Sequence, residues 1–196
     1  MKLIGNLKAY PLLLALAAII LFQVKIQGQN VSSYTFAAVS GTYTNITGTT
    51  IHAAAVDEAC TSAIPIGFTF NYCCNNFTTV SVSSNGWLSF NSTTSSTLTN
   101  NLTSNTIGNV VAPLWDDEQV YTGGTVSYTT TGTSPNRIFT VQWSKMEWNY
   151  SASGDVISFQ TKLYETSNKI EFIYSRGATA VSSGSASIGL SGPNSG

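Results

Sequence analysis

Charge is scarce in this chain. Eight Lys and Arg and nine Asp and Glu make up 9% of its 196 residues, against about 25% in an average globular domain. No basic cluster gathers the few cations, which argues against nucleic acid or an anionic membrane as partner. Histidine occurs once, at His52, in a segment without clear periodicity, and no G-x-S-x-G motif accompanies it. A nucleophile–histidine triad therefore has poor material. The three cysteines, Cys60, Cys73 and Cys74, have no second ligand pair with which to build a zinc site. The longest apolar run, residues 12–22, is eleven residues, whereas a spanning helix needs about 20. After residue 28, no stretch repeats its apolar residues at helical spacing.

What the first residues do contain is an address. Lys2 and Lys8 precede the apolar run, and the polar Gln23 and Lys25 follow it, the order of a secretory signal peptide with cleavage near Gly28. The competing arrangement is an uncleaved N-terminal anchor, and export follows from both. Once the leader is removed, no membrane insertion is expected, and residues 29–196 amount to about one domain by length. Three of the eight basic residues leave with the leader (Lys2, Lys8 and Lys25). The remainder carries five basic against nine acidic residues, a formal net charge of −4. Solubility rests instead on Ser, Thr and Asn, which favour strands and turns.

Alternation carries the fold. In residues 157–164, Ile157, Phe159, Thr161 and Leu163 share one parity, and Ser158, Gln160, Lys162 and Tyr164 the other, so the two sets face opposite sides of a strand. Phe139, Val141 and Trp143 repeat the pattern upstream, and Ile170, Phe172 and Tyr174 downstream, with a turn at 166–168. Three such runs make an antiparallel meander with one dry face that other strands must cover. Candidates for that cover are 34–46 (one or two strands), 64–72, 77–83 and 86–90. Further ones are 110–115, the run TVSYTT after Gly123-Gly124, and 186–190. Asn85-Gly86 predicts a tight hairpin with positive φ at both residues. Residues 91–109 read as a long loop. The expected fold is all-β: an antiparallel, jelly-roll-like β-sandwich behind a signal peptide.

An exported chain keeps its cysteines in an oxidising compartment, where a disulfide is the first expectation. Neighbours on a strand point to opposite faces, so Cys60 can pair with Cys73 or with Cys74 but not both. A continued strand from Phe68, Phe70 and Tyr72 would put Cys74 on the dry side and Cys73 on the wet one. Such a bridge would contribute about 3 kcal/mol in the chain-entropy account.

The order of the segments IGFTFNY, VSVSSNGWLSF, VVAPLWDDE, GTVSY, RIFTVQW, ISFQTKLYE, KIEFIYS and ASIGL resembles the extracellular module found in nidogen. The same module occurs in many secreted multidomain proteins, bacterial surface proteins among them. The resemblance covers residues 64–190. It implies a β-sandwich, a secreted or cell-surface location, a role in adhesion to matrix or surface assembly, and no catalytic residues to carry over. Where that family has a small aromatic-Gly turn after the first strand, this chain has Cys73-Cys74-Asn75-Asn76.

Candidate sites are few. Asp116, Asp117 and Glu118 directly follow an apolar strand, and three carboxylates on one loop could seat Ca²⁺. The plainer account is a solvated strand end whose charges discourage edge pairing. Trp87, Trp115 and Trp143 fall on dry parity and belong in the core. Met146, Trp148 and Tyr164 fall on wet parity. With no bulge intervening, Trp148 and Tyr164 could form an exposed platform that stacks on a glycan or an extracellular protein. The alternative tucks Trp148 under the 149–154 loop. A glycosidase-type carboxylate pair would have to come from Glu147, Glu165 and Glu171, of which Glu171 faces solvent by parity. Asn-x-Ser/Thr triplets occur at Asn30, Asn45, Asn76, Asn91, Asn101 and Asn149; a chain this rich in Ser, Thr and Asn produces several by chance, and they matter only in a host that glycosylates such sites. The function expected is a non-catalytic adhesion or assembly module, with a carbohydrate-binding module or an accessory domain of a secreted hydrolase as alternatives.

Overall fold

The computed structural model describes residues 30–151, 153–154, 156–181 and 184–193. The expected signal peptide, residues 1–28, lies outside the described residues. Ten strands follow a short 3-10 turn at Val31–Ser33. They are β1 (Thr49–Ala53), β2 (Cys60–Tyr72), β3 (Asn75–Ser83), β4 (Trp87–Ser89) and β5 (Val110–Trp115), then β6 (Gln119–Thr131), β7 (Ile138–Glu147), β8 (Ile157–Tyr164), β9 (Ile170–Arg176) and β10 (Ser187–Leu190). They form two antiparallel five-stranded sheets, in the orders β1-β6-β7-β8-β9 and β10-β5-β4-β3-β2. The meander expected over 137–174 is β7-β8-β9, with Trp143 opposite Phe159 and Phe159 opposite Tyr174.

The inner faces meet as period-2 alternation requires. Along β2, Ile64, Ile66, Phe68, Phe70 and Tyr72 are buried, while Pro65, Gly67 and Thr69 between them are exposed. They join Val80, Val82, Leu88 and Val111 of their own sheet, and Phe139, Val141, Trp143, Phe159 and Leu163 of the other, in one core cluster. Burying each such side chain contributes about 1.5–3 kcal/mol. Polar ties cross the sandwich too: Trp143 Nε1 donates to Ser83 O at 2.8 Å, and Tyr174 Oη to Pro113 O at 2.6 Å.

A second apolar cluster lies apart from this core. Trp87, Ile107, Val110, Ala112 and Trp115 pack together, with Cys60 and Leu102 against them. Both indoles donate to one carbonyl, Thr97 O, at 3.2 and 3.0 Å. The 91–109 loop is thus fastened over its own small core. All three tryptophans are fully buried as expected, but only Trp143 belongs to the inter-sheet core.

Several local expectations are corrected. Residues 34–46 contain no strand. His52 sits on β1, buried, its Nε2 3.4 Å from Val82 O, and burial lowers its pKa. Gly123-Gly124 is a bulge inside β6 rather than a turn before it: Val120 pairs with Met146 and Thr125 with Ser144, so four residues oppose Lys145 alone. The Asn85-Gly86 hairpin forms with three loop residues between the paired Ser83 and Trp87, and of Asn85 and Gly86 only Gly86 has positive φ (71°). A Cβ at Gly86 would lie 1.8 Å from Leu114 O, so the neighbouring strand leaves no room for a side chain.

The cysteine expectations also change. β2 does not continue past Tyr72. Cys73 and Cys74 form a two-residue hairpin turn between Tyr72 and its partner Asn75, with φ of 47° and 62°. That turn buries Cys73 and exposes Cys74, the reverse of the parity expected. Cys60 pairs with neither of them. It opens β2, whereas they follow its end, and the β3 residues opposite those two points, Ser83 and Asn75, are about 26 Å apart along their strand, far beyond the roughly 7 Å between Cα atoms that a disulfide tolerates.

Candidate functional site

Four connections build one end of the sandwich: residues 54–59, 84–86, 116–118 and the start of the 149–154 loop. Ala55 and Val56 exchange backbone hydrogen bonds with Val120, Ser84 N donates to Ala59 O, and Tyr150 N donates to Asp117 O. Asp57, Glu58, Asp116, Asp117 and Glu118 all lie in these connections, though not as the trio expected. Asp116 accepts from Ser185 Oγ at 3.1 Å. Glu118 turns inward and is fully buried, with no partner among the described residues for either carboxylate oxygen. Burial, then the nearby Asp116, pushes its carboxyl well above the ordinary range.

Only Asp117 of the trio joins a carboxylate group, and its companions come from the β1–β2 loop. Oxygens of Asp57, Glu58 and Asp117 lie within 4.8 Å of one another. Burial and their mutual repulsion raise the pKa of Asp57 and Asp117. Asn85 links the two acidic features: its Nδ2 donates to Glu58 at 3.1 Å, and its Oδ1 accepts from Glu118 N at 3.1 Å. Three carboxylates offer a hard cation three of the six to eight oxygens that Ca²⁺ takes. Sequence reasoning missed Asp57 and Glu58 because they lie about 60 residues from Asp117 in the chain. Only the neighbouring ends of β1, β2 and β6 bring them together.

The aromatic platform does not form. Trp148 is buried at 8% exposure, its ring 3.7 Å from where a Cβ on Gly184 would sit. Tyr164 pairs with Ile138 at the start of β7, while Trp148 lies beyond the end of that strand. Ten strand residues, about 33 Å, hold the two rings apart. Tyr164 is itself engaged, with its hydroxyl on Glu171 and Lys169 Nζ 3.9 Å from its ring centre. Its phenol is pushed up to about 12 by burial and by Glu171. The carboxylates weighed as a hydrolytic pair are similarly dispersed. Glu147, at one end of β7, accepts from Gly154 N. Glu165, at the other end, grips Arg137, whose Nε lies 2.9 Å away. Glu171 holds Lys169 at 3.2 Å.

A concave site lies elsewhere, on the outer face of the β6-β7-β8 strands. A groove of about 300 Å³ is floored by Thr129, Thr131, Ile138, Thr140, Gln160 and Lys162 and walled by residues 44–47. Strand register builds the floor in rows: Thr129, Thr140 and Lys162 stand side by side, as do Thr131 and Ile138. The wall is fixed by two glutamines. Ile46 N donates to Gln142 Oε1 at 3.0 Å, and Gln160 Nε2 donates to Thr44 O at 2.7 Å and to Gln142 Oε1 at 2.8 Å. Gln160 Oε1 is buried without a partner among the described residues. Gln160 reads as solvent-facing by parity, and residues 34–46 read as strands of the sandwich rather than as a wall over it, so the sequence does not announce this groove.

A family model described as NIDO related matches residues 33–196, which span the whole sandwich. Neither the curated proteins nor the solved structures give a match. The family model takes in both sheets, the acidic end and the groove, and the nidogen-type order of segments runs through it. This chain belongs to the nidogen-related family.

Proposed function

We propose that the chain is an exported, non-catalytic module that holds a cell surface or extracellular matrix to a partner. The observation that carries this reading is the family match over residues 33–196, since a nidogen-related domain suggests an extracellular module. The disposition of reactive groups supports it. His52 is buried against Val82 O with its pKa lowered, and Glu147, Glu165 and Glu171 each hold a different local partner. No helix among the described residues is long and apolar enough to cross a membrane. The test is retention of the purified chain on an array of matrix proteins and polysaccharides, paired with a panel of chromogenic ester and glycoside substrates. Selective retention without turnover is the expected result. Turnover of any substrate that is lost on replacing one carboxylate would overturn the reading.

Carbohydrate binding stands as the second reading. The groove under residues 44–47 favours it, rather than the Trp148 and Tyr164 pair.

A further inference from the structure

We propose that the groove between residues 44–47 and the outer face of β6, β7 and β8 is a subsite for an acidic sugar, such as a uronic acid unit of a glycan. The inference rests on the extracellular-module reading for the setting in which glycans are met. Its chemistry comes from the groove alone.

Four observations set the ligand class. First, the floor is the outer face of β7 and β8, whose backbone groups are committed to neighbours on both sides, and of the end of β6, which is paired with β7 at Thr129–Thr131. An extended peptide that adds to a sheet needs a free edge, and this surface offers side chains only. Second, the hydroxyls of Thr129, Thr131 and Thr140 make no hydrogen bond among the described residues, although Thr140 is only 4% exposed. A hydroxyl both donates and accepts, which suits the vicinal hydroxyls of a sugar, and Ile138 beside them suits its C–H face. Third, Gln160 Nε2 is held by Thr44 O and Gln142 Oε1, and Ile46 N by Gln142 Oε1, so the wall stands over the floor before any ligand arrives. Fourth, Lys162 supplies a cation, and none of the lining residues is a carboxylate. Its cross-strand neighbour Glu171 is already shared by Lys169 and the Tyr164 hydroxyl. One ammonium is thus left in excess beside the groove, which selects a sugar bearing a carboxylate over a neutral one or a cation.

The groove's volume fits about one sugar ring, at the small end of ligand sites. Affinity should be weak, with Kd on the order of 1 mM for a single subsite.

The experiment is a titration of the ¹⁵N-labelled chain with trigalacturonate, with neutral galactotriose and with triglutamate as a peptide of matching charge. Trigalacturonate is expected to shift amides of residues 44–47, 129–131, 138–140 and 160–162. The neutral trisaccharide and the peptide should bind at least about threefold more weakly. Lys162→Ala should weaken trigalacturonate about threefold to tenfold, and Thr129→Val, at a half-exposed position that leaves the fold alone, about twofold to threefold. Shifts elsewhere, no shifts up to about 50 mM, equal binding of either control, or indifference to Lys162→Ala would each overturn the assignment, since single subsites bind in the millimolar range. Retention of the parent chain on an array partner, with no trigalacturonate binding, would overturn this subsite and leave the surface-module reading standing.

Discussion

Glu118 is the residue whose environment and chemistry disagree most. Its side chain is fully buried, both oxygens lack partners among the described residues, and burial raises its pKa above the ordinary 4.5. The folded protein therefore holds that proton more tightly than the unfolded chain. Stability from this group is complete below about pH 4.5 and is lost as pH rises toward the raised folded value. Asp116 faces it and adds to the shift, and Tyr174 feels its charge in turn. Glu118→Gln should be more stable than the parent at pH 7 and nearly equal to it at pH 4, read as urea midpoints at the two pH values. A variant equally destabilised at both would mean that the acid is needed for packing. Asp117→Asn acts on the neighbouring group. Removing one of three carboxylates within 4.8 Å should raise stability by about 0.5–1 kcal/mol in metal-free, low-salt buffer, an advantage that shrinks at 1 M NaCl. At Cys60, burial pushes the thiol up to about 12, and Cys73 is buried in its turn. Both should resist alkylation until the chain is unfolded, and a non-reducing peptide map should show no link from Cys60 to Cys73 or Cys74.

Among the elements, those legible in the sequence are the ones whose signal is local. β5 was bounded by its own apolar run at 110–115, and β2 announced itself through five alternating apolar residues. What parity could not foresee were the bulges, because one extra residue reverses every face after it. Lys145 has φ 53°, and the β7–β8 register shifts between Trp143 and Met146. Met146, expected on the wet side, is consequently fully buried, and the Trp148 platform fails for the same reason. The acidic end and the groove were illegible for a different cause, since each joins segments far apart in the chain. The tight packing of β4 against β5 gives an element-scale prediction. At Gly86, φ is 71° and an added Cβ would strike the Leu114 carbonyl, a backbone group that cannot swing aside. Gly86→Ala should cost about 2–4 kcal/mol, measured by denaturant unfolding, through strain and displaced β5 rather than lost contacts. A loss below about 0.5 kcal/mol, within the range of an ordinary surface change, would show that the turn relaxes freely.

For the whole molecule, the question is whether two sheets and two apolar clusters behave as one unit. The larger cluster draws on both sheets, and it is crossed by Trp143 to Ser83 and Tyr174 to Pro113, with Thr130 Oγ1 reaching Ile66 O at 2.7 Å. Neither sheet can expose its inner face without stripping the other, so the sandwich should unfold in one cooperative step. The smaller cluster is different. It involves β4, β5 and the 91–109 loop, fastened by two indoles on Thr97 O. Removing a side chain from each cluster separates the two behaviours. Phe70→Ala leaves a cavity between the sheets and should cost about 3–5 kcal/mol. It should lower hydrogen-exchange protection in β7 and β8 by as much as in β2 and β3, because all four open only with the whole. Trp115→Ala removes both a packed ring and one of the two anchors. Its amide exchange should rise first and most within residues 91–109, with β7 and β8 following only to the extent that global stability falls. Equal protection losses in both variants would make the loop part of the single cooperative unit, with the small core merely an extension of the large one. Unequal losses would instead make it a separately opening flap over a rigid sandwich.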